Sequence, residues 1–387
     1  VRLTIIDTKL DRTYVVDKVP FGVGFIASMA SSFSYKITNL IDNAFHTGAV
    51  VVWGAGTGKY VESVDYSRMG FAGMFDYVKM GLKINPKLFY VNDAPIEMQS
   101  YIEQCFFPYV STLSSTDIDK LRKSKDLIND IKVPNSFLMS YNGQTWTCDE
   151  FYSSKLVPDW NTFVNTVSNK PYFFGFADYM ASRIVDSINA MTNASLNFNQ
   201  VITQSGIINM IKESYFTSGL ADDMNNRLLA SYAVGRAEEQ SVLLGKAMFL
   251  WAKKVIPFMQ NFLEAFFVIL FPFLIILLFI PLAAFGGVKN AIGFLKVIVW
   301  VYLFIPILAV MDGMIKLQAI NKTIAWLSSN GIDGITLGDY GFLLEQTDFF
   351  PAIAGFAAMS TPLWAWMLLQ GFEAGISGMS SLIGSMG

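Results

Sequence analysis

The chain has 387 residues, 53% hydrophobic and 15% charged, against a soluble norm of about 45–50% apolar and about 25% charged. Of its 28 basic and 31 acidic residues, four and seven fall from Phe258 onward, which leaves 24 of each sign before it. That balance excludes a basic surface built to grip nucleic acid by its phosphates, and the charge-poor last third points to lipid.

The first residue is Val1, with no basic, apolar, small-residue order of a signal peptide around it, so the expectation is an internal fragment. Val1 to Val19 alternates apolar and polar residues around Asp7-Thr8-Lys9-Leu10-Asp11, the pattern of a β-hairpin that Pro20 ends. Gly22 to Phe45 is apolar but interrupted by Lys36 and Asp42, and at helical spacing it reads as one or two amphipathic helices rather than a span. Helical periodicity runs from Tyr66 to Phe107 with a break at Asn85-Pro86. Asp117 to Asp130 reads as a charged surface helix, and Asn135 to Tyr152 as polar loop with short strands. The cluster Tyr172-Phe173-Phe174-Gly175-Phe176 opens a helical region, Ala177 to Ala194, and a last tract runs from Val201 to about Phe258 with an interruption near Gly219.

Three spans are expected next. Ala265 to Phe285 carries no charge, and its length at about 1.5 Å per residue matches a hydrocarbon core of about 30 Å. Pro272 and Pro281 are tolerable there because neighbouring helices can satisfy freed carbonyls. Ala291 to Met311 holds Lys296 close enough to its start to snorkel, and Phe349 to Phe372 is free of charge. Lys316 to Asp348, polar, glycine-rich and net acidic, is expected to be a connection in water. The architecture is thus mainly α: a mostly helical water-facing domain over 1–257 with a small β-hairpin, then a transmembrane domain over 258–387.

Val50 to Lys59 resembles a strand feeding a phosphate loop. The pattern fails, because Trp53 stands where the first glycine is needed and Tyr60 where the magnesium-binding hydroxyl is needed, so Gly54 to Gly58 reads as a plain glycine loop. His46 is the only histidine and has no partner at a telling spacing for metal or nucleophilic chemistry. The pairs Asp222-Asp223 and Glu238-Glu239 read as solvated helix faces. No enzyme, metal or cofactor is expected. Cys105 and Cys148 are the only cysteines, and in a chain that otherwise avoids the residue they point to a disulfide in an oxidising compartment; the alternative is two buried thiols in a reducing one. Small residues at steps of three and four, Ala354 and Ala358 in the third span and Gly371, Gly375, Gly378 and Ser381 beyond it, form one helical face suited to close packing in lipid, on another subunit or a second copy.

Asp17-Lys18-Val19-Pro20-Phe21-Gly22, Ser67-Arg68-Met69-Gly70, Ile102-Glu103-Gln104-Cys105 and the Thr147-Cys148 segment, in that order, resemble the N-terminal domain of TraG, the mating-pair stabilisation protein of F-type conjugative type IV secretion systems. The resemblance covers nearly the whole chain, through the aromatic cluster at Phe173 to Phe176 and an ending that carries Pro362, Trp364 and Trp366. It implies a place in the donor's inner membrane with a periplasmic domain over residues 1 to about 255, a part in pilus assembly, other transfer proteins as partners, and a missing C-terminal region that stabilises mating pairs and meets a TraS-like exclusion protein. It supplies no catalytic residues. Lys246, Lys253 and Lys254 before the first span outnumber Lys289 and Lys296 after it, which by the positive-inside rule alone would put the domain in the cytoplasm. Long domains translocate largely regardless of charge, so the oxidised cysteine pair and the resemblance decide for the periplasm, with Gly286 to Asn290 and Gly387 inside. The function expected is a non-enzymatic, oligomeric assembly component; the alternatives are a channel subunit, whose spans would offer only Gln370 and Ser360 as polar lining, and, weakened by the failed phosphate loop, an ATP-using motor.

Overall fold

The computed structural model describes residues 2–7, 12–19, 21–52, 64–89, 91–134, 136–169, 178–218, 247–256, parts of 258–270, 287–332 and 334–371. Strands β1 (Leu3–Asp7) and β2 (Arg12–Val16) pair antiparallel with Ile5 opposite Tyr14, as the alternating pattern predicts. A second hairpin joins β3 (Leu138–Tyr141) to β4 (Gln144–Thr147) through Asn142 and Gly143, both at positive φ, the conformation a two-residue hairpin loop demands. Helices make up the rest. The longer ones include α1 (Phe21–Val52), α2 (Gly73–Leu82), α3 (Ala94–Tyr101), α4 (Ser115–Arg122), α5 (Val157–Asn169), α6 (Asp178–Thr192), α7 (Phe198–Ser218), α8 (Gly287–Tyr302), α9 (Phe304–Ser329), α10 (Tyr340–Met359) and α11 (Thr361–Gly371), and the stretch 247–256 is helical too.

The large core gathers around α2, which α6, α7 and α10 all touch. Phe75, Met98, Tyr101, Phe106, Phe151, Trp160 and Phe163 are fully buried in it. Tyr101 closes one loop by hydrogen bonding: its hydroxyl donates to the Ile131 carbonyl at 3.2 Å and accepts from the Val133 N–H at 2.9 Å. A second, smaller cluster unites Ala252 and Ile256 of the stretch 247–256 with Phe304, Ile307 and Leu308 of α9, Ala358 of α10 and Ala365 of α11.

Helix α9 runs through both clusters. It is about 39 Å long at 1.5 Å per residue; its first turns pack in the small cluster, while Ile315, Leu317, Ala319 and Ile320 pack in the large one. The segment Lys316 to Asp348, expected as a polar connection in water, is therefore mostly helix, and only 330–339 links α9 to α10. Its apolar residues recur at helical spacing, and several of its charges are paired or seated on aromatic rings: Lys79 holds Asp348 at 2.6 Å, and Lys322 lies 4.7 Å above Phe349. One core thus draws on residues from both sides of the 257/258 division.

Of the three expected spans, Ala265 to Phe285 lies largely outside the described residues. In the second, the regular helical pattern is interrupted at Leu303, near which Pro306 lacks the N–H that would bond the Tyr302 carbonyl. The third begins earlier than expected, at Tyr340, and is bent by 46° between α10 and α11, just before Pro362. Among the described residues, by length and composition one helix, Lys296–Ser329, is apolar enough to cross a membrane, or two if the bent pair counts as one.

The start of α10 is locked into the large core. The Tyr340 hydroxyl donates to the Leu82 carbonyl at 2.5 Å, and Asn209 donates to the Leu82 and Ile84 carbonyls at 2.8 Å each, so two other helices satisfy carbonyls left open at the end of α2. Lys212 sits 3.5 Å over the Tyr340 ring, and burial pushes its ammonium down to about 7. Asp339 and Thr336 bond each other's backbone N–H groups in a reciprocal cap. Burial outweighs those bonds and pushes the Asp339 carboxyl up to about 8.

Asp339 makes stability depend on pH with a defined sign. Below about pH 4 it is protonated folded and unfolded, and its contribution is complete; between about 4 and 8 only the unfolded chain ionises, so stability falls as pH rises. Asp339→Asn keeps the oxygen that accepts from Thr336 and cannot ionise. Melting of the two proteins in detergent should show the variant gaining on the native chain from pH 5 to 8, and a difference constant with pH would refute the assignment.

Candidate functional site

Charges in an apolar helix are costly, and they mark function more often than charges elsewhere. Asp312 and Lys316 stand one turn apart on α9, where it passes from the small cluster to the large one, and both are almost completely buried. Lys316 Nζ lies 2.5 Å from Asp312 Oδ2. The pair is completed by backbone from elsewhere in the chain: Asp312 Oδ1 accepts the Ala72 N–H at 2.6 Å, and Lys316 donates to the Val64 carbonyl at 2.5 Å. Asp42 of α1, also buried, accepts the Ser67 N–H at 3.1 Å.

Three ionisable side chains from two helices therefore hold one short segment, Val64 to Ala72. Local conformation fits the clamp. Ala72 has φ +51°, so its N–H turns out of the following helix toward Asp312, and Gly70 has φ +75°, a position that favours glycine. Tyr66 lies in the same pocket, where burial first, then the Asp312 and Asp42 carboxylates, push its phenol well above the usual range. Ser67-Arg68-Met69-Gly70, one of the stretches that carries the family resemblance, is the stretch held.

Cys105 and Cys148 are bonded to each other, both fully buried, with Cα atoms 5.9 Å apart. Cys105 belongs to the widened turn Ile102–Phe106, in which the Phe107 N–H reaches the Ile102 carbonyl; Cys148 opens a short helix capped by Thr147. The Cys148 N–H donates to the Phe137 carbonyl, which ties the bridge to the second hairpin. Closing a loop of this length is worth roughly 4 kcal/mol in the chain-entropy account.

The expected small-residue face divides. Ala354 is buried in the large core and Ala358 in the small one, both within this chain. Between them Gly355 admits the backbone of the stretch 247–256: a Cβ there would fall 2.4 Å from the Phe249 nitrogen. Gly371 has open space around it, and Gly375, Gly378 and Ser381 lie outside the described residues. So do the glycine loop 54–58, the cluster 173–176 and both carboxylate pairs. His46 falls in α1, and no group of three metal-binding side chains occurs among the described residues.

In the sequence Asp312 falls just past the end of the expected second span, Ala291 to Met311, and Lys316 opens the expected connection. Their spacing of four residues was the available signal, since i,i+4 residues meet on one helix face. Removing one partner leaves the other buried and uncompensated, a loss of about 3–5 kcal/mol. Lys316→Met should accordingly lower the melting temperature sharply, and Asp312→Asn added to it should restore part of the loss. Additive effects in that cycle would show that the pair is not coupled.

No curated protein and no solved structure matches the chain. The family model described as TraG-like protein, N-terminal region, matches residues 1–387, the whole length. The chain therefore belongs to the TraG-like family, as its N-terminal region.

Proposed function

We propose that this chain is a non-enzymatic inner-membrane component of a conjugative type IV secretion machine, acting in pilus assembly and mating-pair stabilisation through contacts with other transfer proteins. The observation that carries the reading is the family match over residues 1–387. Two features support it. The bonded cysteine pair suits an oxidising compartment, hence a periplasmic domain. The apolar helix Lys296–Ser329 and the bent pair after it carry large side chains outward, among them Phe356, Leu363, Trp364 and Trp366, as helices in lipid do. The protein works by binding rather than turnover, and assembles into an oligomer through the end of α11, because Ala354 and Ala358 are already consumed inside the chain. A TraS-like exclusion protein meets a region beyond this one.

Position 120 tests the placement. Lys120 is well exposed on α4, and the two native cysteines are bonded. In intact donor cells a membrane-impermeant maleimide should label Lys120→Cys at once and leave the bonded, buried Cys105 and Cys148 unlabelled. Labelling of position 120 only after the inner membrane is opened would put the domain in the cytoplasm. In the same donors Cys105→Ser should lower transfer frequency and pilus number together.

A further inference from the structure

Helix α1 is built inside out. The side that packs against the protein is largely small or polar, with Ile37, Ile41 and Phe45 half-buried among such residues: Gly24, Ser34, Thr38 and Asp42 are buried, and Ala27 and Ala30 are half-buried. The opposite side carries Phe21, Phe25, Met29, Phe33 and Leu40, each more than half exposed, with Phe21 at 71% against 3% for Ser34. A helix on a water-soluble protein has the reverse arrangement.

Two polar groups of the inner face are engaged where they lie. Thr38 donates to the Ser34 carbonyl at 2.9 Å and Asp42 takes the Ser67 N–H, so turning the helix over would bury nothing better and would break the clamp. What α1 packs on matters equally. It lies along α8 and α9, and the Phe45 ring presses on Gly313 in the middle of α9. That is the helix apolar enough to cross a membrane, and its own outward side chains include Val299, Val310 and Met314. The two outward faces belong to neighbouring helices, so one layer of solvent covers both. From Phe21 to Tyr35 α1 carries no charge; Lys36, exposed at the end of that stretch, has the stem to reach headgroups.

We propose that α1 is a lipid-embedded helix, its Phe21, Phe25, Met29, Phe33 and Leu40 side chains in contact with acyl chains and its small, polar face against α9. The inference rests on the membrane reading given above and extends it to a helix whose composition alone reads as a surface element. It also explains the position of Asp42: a carboxylate on a lipid-embedded helix faces the bundle interior and takes a backbone partner there.

Spin labels at Phe25→Cys and Phe33→Cys test it in the protein reconstituted into vesicles of phosphatidylethanolamine and phosphatidylglycerol, with Leu363→Cys on α11 and Lys120→Cys on α4 as references. All four positions are exposed, so the substitutions leave the packing intact. Oxygen should relax the labels at 25, 33 and 363 while a water-soluble nickel chelate relaxes only the label at 120. Relaxation by nickel at 25 and 33 would overturn the proposal, and so would shielding from both agents, which would mean that a second copy or another protein covers the strip. If 363 remains lipid-exposed in either case, the membrane reading stands and α1 alone fails. Nickel access at 363 as well would remove both.

Discussion

An uncompensated carboxylate in a protein interior costs several kcal/mol, so the buried Asp312 dictates what surrounds it. Lys316 one turn on supplies the opposite charge, but two charges alone do not exhaust each other's hydrogen-bonding capacity. The Ala72 N–H and the Val64 carbonyl complete the set, and they can do so only if the segment between them lies across α9 at that level. That segment leads directly into α2, the helix around which the large core is assembled, and the end of α2 is in turn capped by Tyr340 and Asn209 from two later helices. One pair of charges thus fixes the height of the large core along a helix that continues into the small cluster.

This arrangement makes α9 a shared rod rather than a joint between two bodies. Its first turns pack with the stretch 247–256 and with α11; its last turns carry the stacked rings of Trp326 and Phe342, 4.2 Å apart, against α10. Motion of one cluster cannot be taken up by a loop at that point, because the backbone there is helical and its side chains are committed on both sides.

Local signals carried much of the secondary structure. The first hairpin was readable because alternation is a period-two signal that needs no tertiary context, and α1 was readable as a helix from its 3.6-residue period. Which face of α1 packs inward was not readable, since the usual reading assigns the apolar face to the core and the solvent decides that assignment. The stretch from Lys316 to Asp348 misled for a related reason: Lys316, Lys322, Asp339 and Asp348 look like water-loving residues, yet each is buried, paired or seated on a ring. The apolar spacing of Ile315, Ala319, Ile320 and Leu327 was present in the sequence and outweighs those charges once partners exist. The cysteine pair was legible by scarcity; the clamp was not, because Val64 and Ala72 contribute only backbone and backbone leaves no mark on residue type.

Small residues in apolar helices serve two ends, and the structure separates them. Gly355 is needed because the backbone at Phe249 approaches closer than any Cβ allows, and its neighbours Ala354 and Ala358 line the same internal contact. Packing in lipid gains little from burying apolar surface, so such close backbone approach is what holds helices of one chain together there. Gly371 continues the same run of small residues, yet among the described residues no atom lies within 4 Å of where its Cβ would stand, so the close approach that requires glycine at position 355 does not extend to it.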